Sequence, residues 1–241
     1  EYGVSNEDAF SVGLACGGKI RVMLEPVGHT ISLETLQKLV NFRKNKVSVA
    51  CVVNIITGET KLKTEGYSER FSGFEEENKI FVTVHNSPIR VVIVGAVHIA
   101  QNLVKLAKIA NFDPLVVDPR SGFANAERFK SETIIEEWPD TALSKISIDR
   151  NTAIVLLTHD PKLDDPALEI ALNSDAFYIG ALGSKKTHAA RIDRMKGLGF
   201  GVDRTNRISG PIGLNIGASN PAEIAISILA EIISKLRQDR Q

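Results

Sequence analysis

Cysteine is scarce in this chain: Cys16 and Cys51 are the two it has, and they form no close C-x-x-C pair. That excludes a disulfide framework and a thiolate zinc site. Aromatic residues make up only 6%, and the basic and acidic residues cancel to a formal charge of +0. Without a basic stripe interleaved with aromatics, a nucleic-acid partner is not expected. No apolar run approaches the roughly 20 residues that cross a bilayer, and no basic segment with an apolar stretch behind it opens the chain. No membrane span is therefore expected, and the cytoplasm is the default compartment. Internal repeats and low-complexity tracts are also missing. So is an initiating Met: the chain begins at Glu1, which reads as a processed or truncated product.

What the sequence does have is enough apolar residue, 43%, to build a sizeable core as one large or two small domains. The most informative stretch runs from Val91 to Arg120. Val91 to Val94 is a β-branched run too short for a helix, stopped by Gly95, and predicts a buried parallel strand. Ile99, Leu103, Leu106, Ala107 and Ala110 then recur at helical spacing, with Gln101, Asn102, Lys105 and Lys108 on the other face. Leu115 to Val117 forms a second strand, and Asp118 ends it about 20 residues beyond the turn. A dinucleotide-binding βαβ unit places its ribose-binding carboxylate there. The turn itself, Gly95-Ala96-Val97-His98-Ile99-Ala100, keeps the first glycine of G-x-G-x-x-G and a tolerated Ala at the third. Val97 replaces the second, where a β-branched side chain keeps a pyrophosphate from close approach to the backbone. A phosphate or pyrophosphate site at the helix N-terminus is expected, and ordinary NAD binding is disfavoured.

Residues 88–241 continue in the same style. Ile134-Ile135, Ala153 to Leu157 and Phe177 to Ile179 read as strands, and Leu163 to Leu172 and Ser184 to Met195 as helices. Asn220-Pro221-Ala222-Glu223 is a strong helix start, with an N-cap, a first-turn proline and an acid at the third position. The fold class is α/β, a Rossmann-like doubly wound parallel sheet, preceded by a smaller α+β domain over residues 1–87. In that first domain, Phe10 to Cys16 and Lys19 to Glu25 are expected to pair as a hairpin across Gly17-Gly18. Ser32 should cap a helix through Phe42. Val47 to Ile56, Lys61 to Thr64 and Lys79 to His85 should be strands. Asn86-Ser87-Pro88 is the best linker.

Four loops at the carboxyl ends of the expected strands carry polar or glycine residues: Gly95 to His98, Asp118 with Arg120, Thr158-His159-Asp160, and Gly180 to Ser184. In open α/β sheets that edge binds ligands. Gly183-Ser184-Lys185-Lys186 reads either as an anion cradle or as a glycine bend, a serine N-cap and two solvated lysines. His98, His159 and Asp160 are weak candidates for a metal or an acid–base pair, and no metal site is expected. Cys16 reads as a thiolate exposed at a turn or as a small buried hydrophobe. Glu223 reads as a cap, and Glu231, on the same helix face, as free to reach a partner or solvent.

The strings GLACGG, IRVMLEPV, VGAVHIAQ, VVDPRSGFANAERF, LTHDPKLDDPAL, YIGALGSKKTHAAR and GPIGLNIGASNPAEIAISILAEI, in that order, resemble the xanthine dehydrogenase accessory protein family, XdhC/CoxI. The resemblance implies a maturation factor without turnover of its own. It would bind molybdenum cofactor, as molybdopterin or its dinucleotide form, support its sulfuration, and insert it into an apo molybdenum hydroxylase of the xanthine, aldehyde or CO dehydrogenase type. A cysteine desulfurase is a further implied partner, and two domains joined by a short linker allow a homodimer. The resemblance implies cofactor binding by Cys16 of the ACGG motif, Gly95, Ala96, Val97, His98, Gly183 and Ser184, and the polar strand-end loops add Asp118, Arg120, Thr158, His159 and Lys185 as expected cofactor contacts. Asn215 departs from the Asp of a GLDIGA pattern, and Val97 from the Gly of many relatives. The family's glycine-rich opening segment ending in Glu is lacking, so an incomplete first domain is expected. Two rival readings remain: an NAD(P)-dependent oxidoreductase, and a non-catalytic interaction module with a degenerate Rossmann domain.

Overall fold

The computed structural model describes residues 2–12, 16–20, 22–45, 47–66, 72–75, 77, 79–124, 128–129 and 133–238. They fall into two compact units, Glu1–Ser87 and Pro88–Gln241.

The first unit runs β1 (Tyr2–Val4), α1 (Asn6–Ser11), β2 (Gly18–Ile20), α2 (Leu33–Lys44), β3 (Val49–Asn54), β4 (Thr60–Lys63), β5 (Gly73–Glu75) and β6 (Ile80–His85). Four of the strands form an antiparallel sheet in the order β4-β3-β6-β5. Its core is thin: Ala9, Ile31, Val49, Ala50, Cys51, Val53 and Val82 are its buried apolar residues among those described. Ser32 caps α2 by accepting the Thr35 N–H at 3.0 Å, yet no residue of that helix is buried.

The expected hairpin across Gly17-Gly18 does not form. Phe10 lies in α1, which Ser5 starts by accepting the Asp8 N–H, with Glu7 and Asp8 in its first turn. The cap and these acids outweigh the apolar alternation that reads as a strand. Instead β1 pairs antiparallel with β2. Gly17 is packed so closely that an added Cβ would lie 2.4 Å from the Val4 carbonyl oxygen, and its N–H donates to Asn6 Oδ1 at 2.8 Å. Gly13, Leu14 and Ala15 of the GLACGG string lie outside the described residues. The strand expected over Lys19 to Glu25 shrinks to β2, and residues 22–26 have no regular structure.

The second unit continues with β7 (Arg90–Val94), α3 (His98–Ile109), β8 (Asp113–Val117), β9 (Thr133–Ile135), α4 (Pro139–Lys145), β10 (Thr152–Leu156), α5 (Pro161–Leu172), β11 (Tyr178–Ala181), α6 (Lys185–Gly197), α7 (Val202–Thr205), β12 (Ile208–Ser209) and α8 (Pro221–Gln238). Its six strands are parallel, in the order β12-β11-β10-β7-β8-β9. The chain builds outward from β7 through β8 and β9, then crosses to the other side of β7 to lay down β10. That reversal is the switch point of a doubly wound sheet.

Both faces are covered, which explains the unbroken apolar strands. Val91, Ile93 and Val155 pack against Ile99, Leu103 and Ala107 of α3 and Ile228 and Ile232 of α8. Val92, Val94, Ile154 and Leu156 pack on the opposite face against Leu143 of α4, Leu168 and Leu172 of α5, and Met195 of α6. Each fully buried Val or Ile here contributes about 1.5–3 kcal/mol of transfer free energy. Among the described residues no helix is long and apolar enough to cross a membrane.

Candidate ligand crevice

The switch point opens between β7 and β10, which are paired from Arg90↔Thr152 to Val94↔Leu156. Beyond their carboxyl ends the chain must turn sharply twice within a small space. Gly95 makes the first turn at φ +109, and a Cβ there would meet Thr158 Cγ2 at 2.9 Å and the Thr158 nitrogen at 3.1 Å. Only glycine meets both the dihedral and the contact. On the β10 side, His159 takes a positive φ of 62, and the Thr158 hydroxyl accepts the Asp160 N–H at 3.1 Å. Asp160 then caps α5 by accepting the Lys162 N–H.

Asp118, at the end of β8, is fully buried. Its Oδ2 accepts the Ala96 N–H at 2.8 Å and Arg120 Nη2 at 2.7 Å; its Oδ1 accepts the Arg120 N–H at 3.0 Å and Nε at 2.8 Å. Burial alone would raise its pKa. The Arg120 hydrogen bonds, the Ala96 N–H and the Arg120 charge outweigh that, and the carboxyl is held below the usual carboxylate range. The carboxylate expected to bind a ribose hydroxyl thus has all four acceptor positions filled from within the chain. It ties the β8 end to the glycine turn of β7. Arg120, partly exposed, also stacks on Phe123, its Cζ lying 4.3 Å from the ring centroid.

At the next strand pair, the Thr158 hydroxyl donates to Asp164 Oδ1 at 2.6 Å, while Asp164 Oδ2 faces Arg191 Nη2 at 3.7 Å. Both charged side chains are 2% exposed. Burial raises the Asp164 pKa against the opposing Thr158 hydrogen bond and Arg191 charge, and burial lowers that of Arg191. Arg191 Nη2 also donates to the Leu182 carbonyl at 2.8 Å, just before Gly183, which has φ +147. The Ser184 oxygen accepts the Thr187 N–H at 3.1 Å, so this hydroxyl is a helix cap.

The loop after β12 closes that side. Glu231 on α8 accepts Tyr178 Oη at 2.5 Å and the Gly213 N–H at 2.8 Å. It therefore faces inward, where the sequence left it free to meet a partner or solvent. Burial and the adjacent carboxylate drive the Tyr178 pKa far above the normal tyrosine range. Gly210 lies against the His188 ring, whose Nδ1 would be 2.0 Å from an added Cβ.

Gly95, Ala96, Val97, His98, Asp118, Arg120, Thr158, His159, Gly183, Ser184 and Lys185 are thus gathered at one sheet edge. Cys16 belongs to the other unit, where it is exposed and free. Among the described residues no three His, Cys, Asp or Glu side chains gather as metal ligands. Asp164 and Arg191 are residues that sequence reasoning missed, and Glu231 is one it noted but turned outward. Asp164 and Arg191 sit in charged strings, and nothing in their spacing marks them as buried. A separate hollow of about 600 Å³ opens at the amino ends of β10 and β11, with Glu169 and Asp175 as its charged lining groups, and suits no anion.

Residues 91–232, more than half of the chain, match the model of the XdhC Rossmann domain. The chain belongs to that family. This XdhC-family chain is similar to the molybdenum cofactor insertion chaperone PaoD of Escherichia coli strain K12, with 36% identity over 107 residues, 44% of this chain and 33% of PaoD. It is also similar to a protein of Bacillus subtilis strain 168 named as a probable xanthine dehydrogenase subunit, with 30% identity over 161 residues, 66% of this chain and 47% of that protein. A crystal structure of a Bacillus halodurans protein named as a xanthine dehydrogenase superposes with TM-score 0.67 at 27% identity, over 87% of this chain and 67% of the other. The chain spans from 28% to 47% of the length of the curated relatives it matches.

Proposed function

We propose that this chain is a maturation factor that binds molybdenum cofactor in the crevice at the switch point and delivers it to an apo molybdenum hydroxylase. The name of the relative PaoD supports this reading of the cargo. The single observation that carries the choice of ligand is Asp118. A nicotinamide dinucleotide would need that carboxylate for its ribose, and here Ala96 and Arg120 fill it. A phosphorylated pterin makes no such demand. Gly95 and Gly183 make the sharp turns that bring the strand ends to the crevice, and Lys185 with the α6 N–H groups supplies positive charge there. In the same reading the bound cofactor is sulfurated before delivery, with a cysteine desulfurase as sulfur donor.

The test is anaerobic purification of the chain, loading with cofactor, metal analysis, and oxidation of released pterin to its fluorescent form. Saturable, near-stoichiometric pterin and molybdenum, transferable to an apo hydroxylase with recovery of its activity, is the expected result. No pterin binding, together with saturable NADH fluorescence, would replace the carrier with an oxidoreductase.

A further inference from the structure

Three helix N-termini reach this sheet edge, and their charges differ: α5 carries its own carboxylates, the Asp160 cap and Asp164. At α3 the position of an anion is already taken. The Asp118 carboxylate accepts the Ala96 N–H at 2.8 Å, and a phosphate placed there would meet a second negative charge. The α6 terminus is the reverse. This 13-residue helix has no acid in its first turn, which carries Lys185 and Lys186.

Beneath that terminus lies Arg191, 1% exposed. Its Nη2 holds the Leu182 carbonyl, but Nε and Nη1 have no hydrogen-bond partner among the described residues. The one carboxylate paired with it, on Asp164, stands at 3.7 Å, beyond hydrogen-bond range. One turn toward the N-terminus, on the same helix face, His188 also leaves Nδ1 buried and unpaired. A buried guanidinium remains charged and costs free energy for each donor left open. Such orphans call for a ligand, an ion or water. The loop above Arg191 joins these open donors to a helix start that carries two lysines and no acid in its first turn.

We propose that the ligand's phosphate sits on the Gly183–Ser184–Lys185 end of α6 and not on α3, with Arg191 beneath the loop as the positioning residue that sets its affinity. This end of the crevice therefore selects a phosphate ester or pyrophosphate anion. The α3 end, sealed by Asp118 and Arg120, holds the uncharged part of the ligand. The inference deepens the carrier reading and takes from it only the identity of the ligand.

The experiment is an amide NMR titration of the ¹⁵N-labelled full chain with inorganic phosphate and with pyrophosphate. Shifts concentrated between Leu182 and Thr187 support the proposal, whereas shifts concentrated at Ala96 to His98 overturn it. Arg191→Met should weaken binding about tenfold, the value of one charge-assisted interaction, and Arg191→Lys should restore most of it. Asp164→Asn provides the decisive sign. Its amide oxygen can still accept from Thr158, but the charge that offsets Arg191 is gone, so phosphate should bind more tightly. If the pair were merely structural, that variant would bind more weakly or unchanged, which would overturn the proposal even if Arg191→Met fails to fold. Phosphate shifts at α6 without any pterin binding would sink the carrier reading alone. Bound pterin with phosphate shifts at α3 would sink this inference alone.

Discussion

Asp118 and Gly95 together hold the crevice in shape, one through charge and the other through the lack of a side chain. Asp118→Asn would leave Arg120 without its carboxylate and, since each oxygen accepts two bonds, turn two of the four into donor clashes. Because Arg120 is partly exposed, the cost should fall below the 3–5 kcal/mol of a fully buried broken pair, at about 2 kcal/mol in urea denaturation. The folded-state pKa of Asp118 is depressed, so its contribution is present above the unfolded pKa of about 3.9 and fades as pH falls through the lower folded value. Wild-type stability should accordingly fall more steeply than that of Asp118→Asn as the solution is acidified below about pH 4. Gly95→Ala forces both a positive φ and a 2.9 Å contact on a side chain and should cost about 1–3 kcal/mol by the same measurement. The importance of Gly95 could be read from its place after an apolar run. The use made of Asp118 could not, because a carboxylate twenty-odd residues past a turn looks the same whether it faces a ribose or its own arginine.

Among the elements, α8 shows how a distant helix governs a site loop. Its Glu231 joins Tyr178 on β11 to the Gly213 backbone, fixing the loop that follows β12. Tyr178→Phe should cost about 1–2 kcal/mol, and its effect should not add to that of Glu231→Gln. A double-mutant cycle in urea would show a coupling near zero if the two residues acted separately. The strands and helices of the parallel sheet were legible because β-branched runs alternate with 3.6-residue periodicity. The short elements α4, α7 and β12 were not, since two to seven residues carry too little periodicity to register. In the first unit, Phe10 belongs to a helix because Ser5 and Asp8 form a local cap, a side-chain effect that an apolar pattern does not record.

At the scale of the molecule, the two units differ in how much they bury. Strands β7 and β10 are flanked by apolar side chains on both faces, while α2 has no buried residue at all. Hydrogen exchange should therefore be slowest at the amides of β7 and β10 and fast throughout α2, with separate denaturant dependences for the two units. A single common exchange free energy would contradict that division. The parallel order β12-β11-β10-β7-β8-β9 also has a temporal consequence. Because β7 pairs with a strand whose residues leave the ribosome only after two helices and two further strands, the crevice cannot exist on a nascent chain until β10 has emerged and been threaded home. Any ligand of the crevice would find no site before that point, so its binding would report that the two halves of the parallel sheet have joined.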